Sequence, residues 1–219
     1  ENIKLNGIHH VTAVTSNVTS NLHFYTNVLG LRLVKKSVNQ DDVSAYHLFY
    51  ADKIGSPGTD MTFFDWPNIG KHQPGTNSIA GTVFRVQSQE SLRFWEKRLA
   101  DAGSDPVEIK TFAGHDILVF VDPEGQRLYL VSDRGAPYGG EIWEQPDIPQ
   151  EHALRGFYSV ILTVPDISAL DPTLKEVLGF VEKARSIWMD GETSVVLYET
   201  RPGGGPGREG WGLGEPGTS

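Results

Sequence analysis

One spacing, found twice, restricts the fold of this chain more than any other feature. The apolar stretch Gly7-Ile8-His9-His10-Val11-Thr12-Ala13-Val14 is followed by Gly30, 23 positions after Gly7, and Gly156-Phe157-Tyr158-Ser159-Val160-Ile161-Leu162-Thr163-Val164 is followed by Gly179, 23 positions after Gly156. Val28-Leu29-Gly30-Leu31 is echoed by Val177-Leu178-Gly179-Phe180. The residues between these landmarks have the same grammar each time. After the first strand, Ser16 or Asn17 can cap a helix in which Leu22, Tyr25, Val28 and Leu29 recur at helical spacing, and Gly30 ends it. Short strands are predicted over 32–38, 45–50 and 60–64, parted by Asn39-Gln40-Asp41-Asp42 and Gly55-Ser56-Pro57-Gly58.

The order β-α-β-β-β then returns. Ser78 to Val86 reads as a strand and 90–102 as a helix with Leu92, Trp95 and Leu99 on one face. Strands follow near 107–112, 117–121 and 127–131, the last two joined by the turn Asp122-Pro123-Glu124-Gly125. A third pass runs from Gly156 through a helix ending at Val177-Leu178 to strands near 181–188 and 194–198. Three passes at a period of about 75 residues identify an internal repeat. The expected organisation is a first βαβββ module over 1–67, a second over 76–134, an incomplete third over 153–200, and a Gly/Pro-rich linker over 201–219 leading to a fourth module that would begin near residue 220.

Composition narrows the chemistry. The chain has no cysteine, so disulfides, thiolate zinc sites and a cysteine nucleophile are excluded, and any metal must be held by His, Asp or Glu. Nineteen Lys and Arg against 28 Asp and Glu give a net charge of −9 with no basic block, which argues against nucleic acid as a partner. No run approaches the roughly 18 apolar residues of a membrane span, and no charged-then-apolar leader precedes Gly7. No membrane partner and a cytoplasmic location are the expectations, and the start at Glu1 rather than Met reads as a processed or trimmed chain.

In the His-His strand, alternation places His9 and His10 on opposite faces, so that only one of them faces any given site; His10 and Thr12 share a face. Among the other histidines, His23 reads as a surface residue and His47 as a core or pocket-rim residue, while His72, His115 and His152 fall in loops or turns. No Gly-x-Ser-x-Gly elbow is present.

The tandem modules, Phe24-Tyr25-Thr26-Asn27-Val28-Leu29-Gly30-Leu31 in the first helix, and Asp122-Pro123-Glu124-Gly125 before a final strand resemble the vicinal oxygen chelate superfamily, which includes glyoxalase I, bleomycin-resistance proteins and extradiol ring-cleaving dioxygenases. Gly7-Ile8-His9-His10-Val11-Thr12, Arg32-Leu33-Val34-Lys35-Lys36, Tyr46-His47-Leu48-Phe49-Tyr50 and Gly55-Ser56-Pro57-Gly58-Thr59 are most similar to the hydroquinone-type ring-cleaving dioxygenases. The resemblance implies an α+β fold of βαβββ modules paired into cupped mixed β-sheets. It implies a metal-dependent dioxygenase that cleaves a hydroquinone or catechol with O₂, using Fe(II) or alternatively Mn(II) held by two histidines and a glutamate. His10 is then the metal ligand, and His9 and Thr12 are the catalytic residues that orient substrate or handle a proton.

The remaining two ligands have no evident source within the chain. Ser159 stands opposite His10 in the third module, the second module's first strand has no histidine, and the places where a glutamate is expected hold Tyr129 and Thr62 or Phe63. Glu199 follows the third module's last apolar run, where an acidic residue is usually just solvated. The missing ligands are therefore expected beyond Ser219. Two competing functions keep the same fold: a glyoxalase-type isomerase or lyase, and a metal-free protein that sequesters a ligand between modules. A small aromatic substrate with O₂, and self-association into a homo-oligomer, complete the partner expectations.

Overall fold

A computed structural model of the chain describes residues 8–38, 46–70, 78–112, 115–164, 168, 170–177, 180–187 and 194–200, the last two spans through their backbone. Gly7, the turn Asn39-Gln40-Asp41-Asp42, His72, Gly179 and the stretch 201–219 lie outside these residues, as do the side chains of His115 and Glu199. Strands β1 (His10–Thr15), β2 (Arg32–Val38), β3 (Tyr46–Ala51) and β4 (Asp60–Asp65) form a four-stranded sheet in the order β1-β4-β3-β2. Strands β5 (Ser78–Val86), β6 (Val107–Phe112), β7 (His115–Val121), β8 (Arg127–Ser132), β9 (Phe157–Val164), β10 (Phe180–Ile187) and β11 (Ser194–Thr200) form a second sheet in the order β10-β11-β9-β5-β8-β7-β6. The architecture is mixed α+β, with two mixed β-sheets and few helices.

The first two passes of the repeat share one topology. β1 pairs parallel with β4 and β5 parallel with β8, while the strands between them are antiparallel. In the third pass β9 pairs antiparallel with β11, and it joins the second sheet by an antiparallel pairing to β5. Among the described residues no strand pairs with the outer edge of β1.

The helices of the first two passes follow the sequence with one departure. Asn17 caps α1 (Val18–His23) by accepting the Ser20 amide at 3.0 Å. The predicted continuation to Leu29 is not α-helical: Phe24–Val28 form a π-turn, closed by the Leu29 amide on the Phe24 carbonyl at 2.9 Å. This turn buries Phe24, Tyr25 and Val28. Gly30 follows at φ +73°, and a Cβ there would meet Ile148 Cδ1 at 2.4 Å. Helix α2 (Gln89–Asp101) is capped by Ser88 and buries Leu92, Trp95 and Leu99 on the predicted face. In the third pass the described part of the predicted helix includes a π-turn, Thr173–Val177.

The main core lies on the helix side of both sheets, where Val11, Leu48, Tyr50, Met61 and Phe63 of the first sheet pack with Phe24, Tyr25 and Leu29. A smaller apolar cluster of Val83, Ile117, Tyr129, Val131, Tyr158 and Ile161 covers the other face of the second sheet. The Tyr129 ring lies against Gly81, where a Cβ would come within 2.3 Å of it. Among the described residues no helix is long and apolar enough to cross a membrane.

Candidate active site on the open face of the first sheet

The face of the first sheet turned away from the helices is built from alternate residues of four strands. In β1 the buried Val11 and Thr15 point into the core, whereas His10, Thr12 and Val14 are exposed. The parallel register sets Asp60 beside His10, Thr62 beside Thr12 and Phe64 beside Val14. The Thr62 hydroxyl donates to Thr12 Oγ1 at 2.9 Å, and His47 Nε2 lies 3.0 Å from Thr62 Oγ1. The His47 imidazole packs against Phe64 at 3.9 Å and Phe49 at 4.0 Å between ring centroids, and the Lys35 ammonium stands 5.1 Å over the Phe49 ring. Sequence alternation therefore collects His10, Thr12, Asp60, Thr62, His47 and Lys35 on one surface.

His9 departs from the expected geometry. β1 begins at His10, so strand alternation does not govern the residue before it, and the two imidazoles meet with Nδ1 atoms 3.2 Å apart and rings edge-to-face at 5.3 Å. The expectation that His9 and His10 point to opposite faces is thus corrected. The backbone at His9 is fixed by the turn 55–58: the Gly58 amide donates to the His9 carbonyl at 2.8 Å, and the Phe157 amide donates to the Gly58 carbonyl at 2.8 Å. Gly58 has φ +87°, a left-handed conformation that favours glycine, which gives the glycine of Gly55-Ser56-Pro57-Gly58 a structural reason.

The electrostatics follow from partial burial among basic side chains. Burial, then the neighbouring Lys35 and His10, hold His47 below the ordinary imidazole value. Burial raises the Asp60 carboxyl above the ordinary carboxylate value against the pull of His10, His9 and Lys35, and its buried Oδ1 has no hydrogen-bond partner among the described residues.

As a metal site the surface is partial. His10 offers an exposed imidazole whose Nδ1 is engaged by His9, which leaves Nε2 for an external partner. Among the described residues no group of three or more His, Asp or Glu comes together, so these residues do not complete a divalent metal centre. Sequence reasoning placed His47 in the core or at a pocket rim and gave Thr62, Asp60 and Lys35 no role. The signal was the period-two run Asp60, Thr62, Phe64 in a strand whose other face is Met61 and Phe63.

Comparison with known proteins gives this surface a setting. The sequence profile of the Glyoxalase/Bleomycin resistance protein/Dioxygenase superfamily matches residues 7–130. The chain is 45% identical over 203 residues to MhqA of Bacillus subtilis, which bears the name of a ring-cleaving dioxygenase, covering 92% of this chain and 64% of MhqA. It is 26% identical over 184 residues to the chlorohydroquinone/hydroquinone 1,2-dioxygenase of Sphingobium indicum, covering 83% of this chain and 57% of that one. A crystal structure described as a dioxygenase from Bacillus subtilis is similar at 31% identity and a TM-score of 0.78, covering 90% of this chain and 61% of that chain. The chain thus spans about three fifths of the length of these relatives.

Proposed function

Given that the chain belongs to the Glyoxalase/Bleomycin resistance protein/Dioxygenase superfamily, we propose that it is part of a metal-dependent ring-cleaving dioxygenase acting on a hydroquinone or catechol. The two relatives described above bear dioxygenase names, one for ring cleavage and one for hydroquinone, and these names support the reaction class. The observation that carries the reading is the open face of the first sheet, where His10, steadied by His9, stands beside Thr12 on a surface that also holds two aromatic rings.

In this reading His10 is one ligand of Fe(II), or alternatively Mn(II), and the other donors come from outside the described residues. The chain's own groups bind and orient. His9 fixes the His10 ring through Nδ1, and the Thr12 hydroxyl meets an oxygen substituent of the aromatic substrate. Both atoms of O₂ enter the ring-opened product, so the reaction needs no external reductant. The module boundaries 1–67, 76–134 and 153–200 and a fourth module carrying the missing ligands are part of the same proposal.

Oxygen uptake by the metal-loaded complete polypeptide over a panel of hydroquinones and catechols tests it, with a ring-opened product of substrate mass plus O₂ as the expected result. No uptake, together with turnover of a hemithioacetal, would replace the dioxygenase by the glyoxalase-type alternative.

A further inference from the structure

The His47–Thr62–Thr12 chain contains more information than its two distances, because a hydroxyl has one proton to donate. Thr62 donates that proton to Thr12 Oγ1, so its contact with His47 Nε2 must be one in which it accepts. His47 then carries its proton on Nε2. Thr12 receives a hydrogen bond from Thr62 and, on its exposed strand face, keeps its own proton for a partner outside the sheet. The opposite tautomer of His47 would reverse every bond: Thr62 would donate to His47, Thr12 would donate to Thr62, and Thr12 would offer only lone pairs outward.

We infer that His47 is a positioning residue that, through Thr62, sets the Thr12 hydroxyl as a hydrogen-bond donor toward the space beside His10 and so selects an aromatic substrate presenting a deprotonated oxygen there. The proposal rests on the reading of that space as the substrate's. Three further features support it. Packing against Phe49 and Phe64 limits rotation of the His47 ring. Burial, then the neighbouring Lys35 and His10, hold His47 below the ordinary imidazole value, which favours the neutral form, in which one ring nitrogen only carries a proton. Thr62 itself is fully buried, which shields its two hydrogen bonds from exchange with water.

The test combines a spectroscopic and a kinetic arm. In the full chain without added metal, long-range ¹H–¹⁵N spectra should give His47 the signature of the Nε2–H tautomer; a predominant Nδ1–H tautomer overturns the proposal. In metal-loaded protein, His47→Phe and Thr62→Val should each lower kcat/KM about tenfold or more, in the range of losses of supporting hydrogen bonds around a site. His47→Gln, whose amide can place a donor where Nε2 stood, should recover most of that loss. In a Thr12→Val background His47→Phe should cost nothing further, since the group it orients is gone; losses that multiply would mean that His47 acts elsewhere, and the proposal fails. Should the protein not cleave rings, binding of 4-nitrocatechol reads the relay independently. Wild type should favour its deprotonated form over that bound by Thr62→Val, and equal protonation states would overturn the relay rather than the dioxygenase reading.

Discussion

Two imidazole nitrogens 3.2 Å apart determine what the His9-His10 pair can do. One of them must carry a proton, and for His10 to offer an unprotonated Nε2 to a metal the proton must sit on its own Nδ1, with His9 as acceptor. In the proposed site His9 therefore orients the His10 ring rather than binding the metal. Replacing His10 by Ala should abolish stoichiometric Fe(II) or Mn(II) in metal analysis of the complete polypeptide, and unchanged metal content would remove His10 from the site. His9→Ala should keep much of the metal while activity falls about 10–100-fold; wild-type turnover in that variant would leave His9 without a role. The sequence made His10 and Thr12 readable as one face because alternation is a local rule. It misplaced His9 because where a strand begins depends on pairing partners, here β4, that lie about fifty residues away.

Among the elements, β1 owes its placement to the turn Asp122-Pro123-Glu124-Gly125, which is legible in sequence only as a turn. Asp122 Oδ1 accepts the amides of Glu124 and Gln126, each at 2.9 Å, which shapes the turn, and Oδ2 accepts the Tyr25 hydroxyl at 3.1 Å. The Glu124 carboxylate receives both hydroxyls of Thr15 and Ser16 and the Ser16 amide at 2.7 Å, gripping the end of the strand that starts with His10. Burial first, then the Asp122 charge, push the Tyr25 phenol well above its ordinary value, so it remains a donor at any working pH. Glu124→Ala should destabilise the protein by about 2–3 kcal/mol in urea unfolding, since hydrogen bonds to a charged group contribute more than neutral ones. A loss under about 0.5 kcal/mol would show the grip to be solvent-replaceable. No local pattern announces this contact, because its partners are separated by more than a hundred residues. The π-turn at Phe24–Val28 was hidden because the same apolar spacing is compatible with an α-helical turn, so periodicity does not distinguish the two.

Across the whole molecule the two sheets are joined beside the candidate site, and Asp52 is the group on which that junction turns. Its side chain is buried, with Oδ1 accepting the Ile54 amide at 3.1 Å and the Ser56 amide at 2.9 Å, while Oδ2 accepts the Tyr138 hydroxyl at 3.0 Å and the Glu141 amide at 2.9 Å. One carboxylate thus ties the turn that holds His9 to the segment that follows the second sheet's β8. Directly beside it, the Gly156 backbone passes so close to the Gly58 carbonyl that a Cβ would stand 2.7 Å from that oxygen, and Gly156 has φ +83°. Gly156→Ala should therefore be strained twice, by clash and by conformation, and lower the unfolding free energy by more than the roughly 1 kcal/mol typical of an uncrowded left-handed glycine; a smaller effect in denaturant titration would mean that the sheets separate readily at this point. For Asp52, burial raises the carboxyl pKa, but the hydrogen bonds from Ser56, Glu141 and Tyr138 outweigh it and leave the value below that of an ordinary carboxylate. A group depressed in the folded state adds stability above its unfolded value of about 3.9, and that contribution is lost as pH falls through the folded value. Asp52→Asn removes the charge but keeps the shape, so the variant should be less stable than wild type by about 2–3 kcal/mol near pH 6. The gap should narrow as the pH is lowered below about 4, where wild type loses the same charge. Urea unfolding of both proteins at pH 6, 5, 4 and 3 measures it, and a gap that stays constant over that series would show that the carboxylate charge of Asp52 is not what holds the sheets together.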